Sequence, residues 1–266
     1  MKKQNLHSIQ RLKDEGEPIT VLTAYDASFS KLVSESGVEI ILVGDSLGMV
    51  MQGHQSTVPV SMRDMVYHTQ CVAKTNHGAF LVSDLPYMAY STEESTLKNA
   101  AKLMQAGANM VKLEGGDWLC PSIKKLTERG VPVCAHLGLT PQSVDALGGF
   151  KIQGREAEAA NQILRDALAI EKAGAKLLVL ECVPELLAEK ITQQLSIPTI
   201  GIGAGNRTDG QVLVLQDMLG MNSDFRPKFV KNFFESEQVK SIKDAFDCYI
   251  SEVKNRSFPG KEHSFE

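Results

Sequence analysis

The sequence predicts a single (β/α)8 barrel, the TIM-barrel fold, spanning residues 1–266 as one domain. Short apolar runs alternate with amphipathic segments along the chain, as they do in proteins built from repeated strand–helix units. Eight of these runs are rich in β-branched residues and leucine, which is typical of parallel strands covered on both faces. The length of 266 residues is close to the roughly 250 residues of a typical barrel of this kind. A doubly wound open sheet is the alternative architecture.

The predicted strands and helices follow one another in regular order. Strands are predicted at 19–24, 39–44, 79–84, 109–114, 131–136, 176–181, 197–202 and 212–216. Helices are predicted at 26–36, 61–75, 92–107, 118–129, 155–174, 184–195 and 228–253. Ser61 and Thr92 are residue types that favour helix N-caps, and Gly37 and Gly174 stand where helices should end.

Two connections that follow predicted strands have unusual length or glycine content. The segment 137–160, LGLTPQSVDALGGFKIQGREAEAA, is long for a strand-to-helix loop, and long loops in compact domains are usually functional. The segment 201–205, GIGAG, has G-x-G-x-G spacing and therefore lacks the dinucleotide-binding pattern G-x-G-x-x-G. Its glycines suit either a ligand bound by backbone N–H groups or a tight turn.

Composition limits the class of protein. The formal net charge of −4 argues against nucleic acid or an anionic membrane as the main partner. The five cysteines have no C-x-x-C spacing, and no apolar run approaches the roughly 20 residues of a membrane span. The first residues lack the apolar stretch of a secretory signal. We therefore expect a cytoplasmic protein that binds small molecules.

Acidic residues stand where predicted strands end. Asp45, Asp84, Glu114 and Glu181 each follow or complete an apolar run, and His136 ends another. Because the carboxyl ends of barrel strands form one face, we expect these side chains to converge. Clustered carboxylates need a cation or a proton, and oxygen ligands suit Mg²⁺. The sequence thus predicts an enzyme that holds a metal ion and moves a proton.

Lys112 and Ser46 are further candidates for this site. Lys112 shares a strand face with Glu114 because side chains alternate along a strand, and a lysine rarely faces a core without a partner. Ser46, in the GDS turn, can donate a hydrogen bond to a ligand. Taken singly, a strand-end aspartate often caps a helix and a lone histidine is often structural. The occurrence of all these residues at one end of the barrel favours a catalytic or binding site over separate structural roles.

Several motifs resemble one known family. VGDSLGM at 43–49 and HLGLTPQ at 136–142 are the most specific, and DLPYMAY at 84–90, AGANMVKLEGG at 106–116 and IPTIGIGAGNRTDGQVLV at 197–214 extend the similarity over nearly the whole chain. On these residues the chain resembles the ketopantoate hydroxymethyltransferase family. The resemblance implies a (β/α)8 barrel and a Mg²⁺-dependent transfer of a hydroxymethyl group from 5,10-methylenetetrahydrofolate to 3-methyl-2-oxobutanoate. The product would be 2-dehydropantoate, made through a metal-stabilised enolate in pantothenate biosynthesis.

The resemblance also implies roles by position. Asp45 and Asp84 would bind the metal and the substrate, with Glu114 in or just outside the metal's ligand set, and Glu181 would be the general base. The substrate would also contact Ser46, Lys112 and His136. The family implies a homo-oligomer, a decamer being one candidate size. Two alternatives stay open: a Mg²⁺-dependent lyase or aldolase acting on another 2-oxo acid, and a catalytically silent barrel that binds a metabolite or a partner protein.

Overall fold

Eight parallel strands close into a barrel in chain order. The computed structural model describes residues 3–222 and 226–266. The strands are β1 (Ile19–Thr23), β2 (Ile40–Val43), β3 (Phe80–Asp84), β4 (Met110–Glu114), β5 (Val133–Gly138), β6 (Leu177–Glu181), β7 (Thr199–Ile202) and β8 (Gly210–Leu213). Each strand pairs with the next, and β8 returns to β1 with Val212 opposite Val21. The barrel prediction is confirmed, and an open sheet is excluded because the first and last strands pair.

Helices surround the strands. They are α1 (Leu6–Asp14), α2 (Ala27–Ser36), α3 (Leu47–Val50), α4 (Met62–Thr75), α5 (Glu93–Gln105), α6 (Cys120–Thr127), α7 (Val144–Leu147), α8 (Ala157–Ala173), α9 (Glu185–Gln194), α10 (Leu215–Met218) and α11 (Ile242–Lys254). The Ser61 hydroxyl accepts a hydrogen bond from the Asp64 N–H at the start of α4, and Thr92 does the same at α5. Gly37 and Gly174 end α2 and α8 in the left-handed conformation, as predicted.

The last strand is displaced from its predicted position at 212–216. It begins at Gly210, where a Cβ would lie 2.3 Å from the Ile19 carbonyl oxygen, so only glycine permits the close pairing with β1. It ends before Leu215, whose N–H donates to the Thr23 hydroxyl and which starts α10. The prediction is therefore wrong for 214–216, because the apolar run VLVL continues from the strand into a short helix.

The predicted helix 228–253 is wrong for residues 228–241. Val230 and Phe233 are buried three residues apart, a spacing that a helix would also give. The Asn232 side chain instead accepts a hydrogen bond from the Phe234 N–H and starts a single 3-10 turn. The helix α11 begins only after Ser241, whose side chain accepts from the Asp244 N–H. Local capping thus overrides the apolar spacing.

Two apolar cores lie on either side of the barrel wall. The inner core is built from alternate strand residues: Ile19, Val21, Ile40, Leu42, Phe80, Val82, Met110, Cys134, Leu177, Val179, Ile200, Ile202 and Val212. Ile9 and Leu12 of α1 belong to the same cluster. Because side chains alternate, Asp84, Glu114 and Glu181 continue these inward-facing rows at the carboxyl ends of their strands. The alternation places polar groups directly above an apolar barrel interior.

The outer core joins the strands to the helices. It includes Leu22, Ile41, Val43, Leu81, Val111, Ala135, Leu178 and Leu180 together with apolar residues of the surrounding helices. Tyr249 of α11 is fully buried and donates through its hydroxyl to the carbonyl oxygens of Val21 and Gln211, each at 2.8 Å. The last helix therefore fastens the seam between β1 and β8. Among the described residues, every helix is too short or too polar to cross a membrane.

Candidate active site

The predicted site residues lie together at the carboxyl end of the barrel. Asp84 and Glu114 are the last residues of β3 and β4, His136 lies within β5, and Glu181 ends β6. Strand register places Asp84 beside Lys112 and Glu114 beside His136. Apart from Glu181, whose side chain is 14% exposed, these residues are buried. Charged side chains are rarely buried singly, so a group of them indicates a built site.

Asp45 lies two residues beyond β2 and contacts Asp84. Its backbone N–H donates to Asp84 Oδ2 at 3.1 Å. Burial, followed by the negative charges of Asp84 and Glu114, raises the pKa of Asp45 well above its usual range. Gly44 permits the turn, because a Cβ there would lie 2.8 Å from Ser46 Oγ. The two aspartates form an adjacent acidic pair.

Lys112 is the buried cation nearest to this pair. Its Nζ donates to Asp84 Oδ1 at 2.7 Å and lies 3.7 Å from Glu114 Oε1. Burial alone would lower the pKa of Lys112, but the charges of Asp84 and Glu114 outweigh it and raise the pKa above its ordinary value. Lys112 therefore stays charged at neutral pH and partly offsets the carboxylates.

His136 lies between two carboxylates. Its Nδ1 is 3.3 Å from Glu114 Oε1, and its Nε2 is 3.4 Å from Glu181 Oε2. Neither contact has good hydrogen-bond geometry, so charge rather than alignment holds the ring. Burial and Lys112 lower the pKa of His136, but Glu114 and Glu181 outweigh them and raise it to about 9. The same contacts with His136 and Lys112 lower the pKa of Glu114 against the effect of its burial.

Ser46 is held by a residue that sequence reasoning did not single out. The Ser46 hydroxyl lies 2.8 Å from the hydroxyl of Tyr25, which is almost completely buried. Burial raises the pKa of Tyr25, so the phenol stays neutral and can donate. The signal in the sequence was the segment TAYDASF at 23–29, which begins at the last residue of β1.

Gln142 and Tyr90 are two further members of the site. Gln142 Nε2 donates to Asp45 Oδ2 at 2.8 Å, and the Tyr90 hydroxyl donates to Gln142 Oε1 at 2.5 Å. The Gln142 backbone N–H donates to Glu114 Oε2 at 3.1 Å. Gln142 lies in the long segment 137–160, so the first part of that loop returns into the barrel mouth. Tyr90 and Gln142 are the last residues of the motifs DLPYMAY and HLGLTPQ, but nothing in the local sequence distinguished them from their neighbours as site residues.

The charge balance of the site suits a divalent cation. Four carboxylates, those of Asp45, Asp84, Glu114 and Glu181, surround the two cationic groups described above. When all four carboxylates are ionised, their negative charge exceeds these two positive charges by two, which one divalent ion would neutralise. In the described ranges 3–222 and 226–266, no three His, Cys, Asp or Glu side chains form a ready ligand cage. Mg²⁺ commonly uses one or two carboxylates and completes its octahedron with water and substrate, so the residues fit such an ion.

Comparison with known proteins assigns the family. The family model described as Ketopantoate hydroxymethyltransferase matches residues 3–261. The chain belongs to the ketopantoate hydroxymethyltransferase family. A relative from Idiomarina loihiensis, named 3-methyl-2-oxobutanoate hydroxymethyltransferase, is 59% identical over 264 residues, covering 99% of this chain and 98% of the relative. A relative of the same name from Shewanella amazonensis is 56% identical over the full length of both chains. This family consists of transferase enzymes.

Solved structures with distant sequences share the fold. Phosphonopyruvate hydrolase superposes with a TM-score of 0.63 at 15% identity, covering 83% of this chain and 84% of that one. A 2,3-dimethylmalate lyase gives a TM-score of 0.60 at 13% identity, covering 82% and 83%. At such low identity the similarity supports the barrel architecture alone.

Proposed function

We propose that this chain transfers a hydroxymethyl group from 5,10-methylenetetrahydrofolate to 3-methyl-2-oxobutanoate, giving 2-dehydropantoate for pantothenate biosynthesis with the help of Mg²⁺. Family membership supports the acceptor and the transferred group. The observation that supports the chemistry is the arrangement of the carboxylates in the barrel mouth. Asp45 and Asp84 form an adjacent pair after β2 and β3, whereas Glu181 lies at the end of β6 and is more exposed.

Asp45 and Asp84 would hold the Mg²⁺ ion, with Glu114 in or just outside its ligand set. When bound, the ion supplies Lewis acidity that polarises the keto group of a 2-oxo acid and makes the enolate easier to form, which is worth several kcal/mol. Glu114 is engaged by the Gln142 N–H on one oxygen and by Lys112 and His136 on the other. Its contacts therefore suit a supporting position beside the aspartate pair.

Lys112, His136 and Ser46 would bind and orient the 2-oxo acid. An ammonium group has three N–H donors, and Asp84 Oδ1 takes one of those of Lys112, so others remain for substrate oxygens. The imidazolium of His136 adds positive charge beside the substrate carboxylate. Tyr25 fixes the Ser46 hydroxyl in position. These groups offset the negative charge that the substrate brings into an already acidic site.

Glu181 would be the general base that removes the proton from C3 of the oxo acid. Its side chain is 14% exposed, whereas that of His136 is 3% exposed, so a substrate can reach the carboxylate. The His136 Nε2 atom, 3.4 Å from Glu181 Oε2, holds the carboxylate towards the barrel axis. After proton removal, C3 attacks the methylene carbon of the folate and one of the two C–N bonds of that carbon breaks. One water molecule then displaces the remaining folate nitrogen, which supplies the hydroxyl group of the product and releases tetrahydrofolate.

The donor discriminates between this proposal and its nearest rival. A Mg²⁺-dependent lyase or aldolase would share the metal, the enolate and the base, but would need no folate. The purified chain should form 2-dehydropantoate only when the oxo acid, Mg²⁺ and 5,10-methylenetetrahydrofolate are all present. Product formation without the folate would contradict the proposal. From the resemblance we further propose that the protein is cytoplasmic and forms a homo-oligomer. Light scattering of the purified protein tests the oligomeric state.

A further inference from the structure

We propose that Gln142 is a positioning residue that fixes the Asp45 carboxylate and thereby selects which of its oxygens faces the cation. The inference rests on the proposed function, because it concerns the metal-holding role of Asp45. Gln142 is 5% exposed and lies in the 3-10 turn Pro141–Ser143, shortly after the end of β5 at Gly138. It bridges elements that are far apart in the sequence.

Every polar group of the Gln142 side chain has a partner. Its Nε2 donates to Asp45 Oδ2 at 2.8 Å and to the Leu85 carbonyl oxygen at 3.0 Å, while its Oε1 accepts from the Tyr90 hydroxyl at 2.5 Å. An ionised carboxylate and a carbonyl can only accept hydrogen bonds. An inverted amide would place its oxygen against both of them. The partners therefore fix the orientation of the amide.

The fixed amide of Gln142 restricts the rotation of the Asp45 carboxylate. The rotation of an aspartate carboxylate about its last bond is soft and nearly two-fold, so burial alone does not distinguish its two oxygens. The bond from Gln142 occupies Oδ2, and within the described part of the chain Oδ1 receives no hydrogen bond from protein. Oδ1 is thus the oxygen available to a cation. The Gln142 backbone N–H meanwhile holds Glu114 Oε2.

A side-chain substitution can remove the contact of Gln142 with Asp45 and keep its backbone contact with Glu114. Replacing Gln142 by methionine keeps the length of the side chain and the backbone N–H to Glu114, but removes the amide that holds Asp45. Groups that orient metal ligands typically contribute 10- to 100-fold to metal affinity. We therefore expect Gln142→Met to weaken binding of Mn²⁺, a spectroscopic substitute for Mg²⁺, by about tenfold or more.

A second buried glutamine provides a matched control. Gln211 is 3% exposed, and its Nε2 donates to the Gly205 carbonyl oxygen and to the Thr208 hydroxyl, both at 2.9 Å. It stands next to Val212 of the inner core, so its side chain points away from the barrel interior. Gln211→Met should lower the unfolding temperature as Gln142→Met does, but leave Mn²⁺ affinity within about twofold of the unaltered chain.

The experiment measures Mn²⁺ binding by electron paramagnetic resonance on the full chain without substrate, beside thermal unfolding. Selective loss of Mn²⁺ affinity in Gln142→Met supports the inference, and Tyr90→Phe, which frees the amide, should give a smaller loss in the same direction. Unchanged affinity in Gln142→Met, an equal loss in Gln211→Met, or no Mn²⁺ binding by the unaltered chain would each overturn it. Product formation by the unaltered chain, assayed separately, tests the proposed function. An active chain whose Gln142→Met variant keeps its Mn²⁺ affinity therefore defeats the positioning role alone.

Discussion

Glu181 differs from the other acidic residues of the site in its exposure and its neighbours. It is the most accessible of the four, and its one close charged contact in the described structure is His136. Replacing Glu181 by glutamine keeps the shape of the side chain but removes the proton acceptor. We expect this change to lower the rate of product formation by about 10²- to 10⁴-fold, the usual contribution of a general base.

The Glu181→Gln prediction requires that metal binding survive. Mn²⁺ affinity should stay within about twofold because Glu181 is separate from the aspartate pair. Glu158→Gln, an exposed residue in the first turn of α8, is the matched control and should keep full activity. A rate for Glu181→Gln equal to that of this control would remove Glu181 as the base.

Asp45 and Asp84 carry a different prediction. Asp45→Ala or Asp84→Ala should weaken Mg²⁺-dependent binding of 3-methyl-2-oxobutanoate, measured by calorimetric titration, by at least about tenfold. Asp84→Ala should also destabilise the fold by about 3 kcal/mol, because it leaves the buried Lys112 without its closest partner. Asp14→Ala, an exposed position just before β1 at the opposite end of the barrel, is the control. Unchanged affinity in both site variants would refute the ligand role.

Strand-end residues were predictable from the sequence, and loop residues that return to the site were not. Asp84, Glu114 and Glu181 follow from two local rules, the alternation along a strand and the common face of strand ends. Gln142 reaches Asp45 across 97 positions of sequence through a turn that no periodicity encodes. Tyr90 was not predictable either, because its hydroxyl contacts the site through Gln142 in that same turn.

At the scale of elements, the junction of β5 and β6 positions the proposed base. Gly138 has a φ of +91°, and it pairs directly with Glu181. A Cβ on Gly138 would lie 2.2 Å from the Glu181 carbonyl oxygen, an impossible contact. The next residue, Leu139, donates its N–H to that oxygen at 2.8 Å. Only a glycine lets the strand end approach Glu181 so closely.

Gly138→Ala should therefore displace Glu181 and reduce activity, and the contact with the backbone oxygen should also destabilise the fold. Gly130→Ala is a matched control, since Gly130 also has a positive φ, of +77°, but nothing lies within 4 Å of a Cβ placed there. Each substitution should cost about 1 kcal/mol through backbone strain alone, measured by denaturant unfolding. Only at Gly138 should the clash add a further loss of stability and a loss of activity. Equal activity in the two variants would contradict the positioning of Glu181 by this junction.

The elements that sequence reasoning placed wrongly share a physical cause. At β8 the strand begins with a glycine because β1 passes too close for a side chain. At 228–241 a side-chain cap and buried aromatic packing replace the helix, with Phe233 packed edge-on against Tyr249 at 5.6 Å. The start of β8 depends on a distant neighbour, and the segment 228–241 combines a local cap with distant aromatic packing, whereas the remaining strands follow from local apolar runs. Tertiary contacts therefore decide the C-terminal quarter of the chain.

At the scale of the whole molecule, barrel closure depends on a late segment of the chain. Tyr249 donates to carbonyl oxygens of β1 and β8 and is fully buried. Tyr249→Phe keeps the ring but leaves both acceptors short of a buried donor. We expect a loss of about 1–3 kcal/mol in the free energy of unfolding, measured with denaturant. Tyr67→Phe, at a position 61% exposed, should change stability little. Equal effects in the two variants would show that α11 does not fasten the seam.

The barrel combines an apolar interior with a mouth of opposed charges, and we propose that this mouth removes a proton from C3 of a 2-oxo acid. The most direct measurement is solvent deuterium incorporation at C3 of 3-methyl-2-oxobutanoate, followed by nuclear magnetic resonance with Mg²⁺ and without folate. We expect incorporation that requires Mg²⁺, disappears in Glu181→Gln and leads to product only when 5,10-methylenetetrahydrofolate is added. Absence of incorporation in the unaltered chain, or incorporation that persists undiminished in Glu181→Gln, would contradict it.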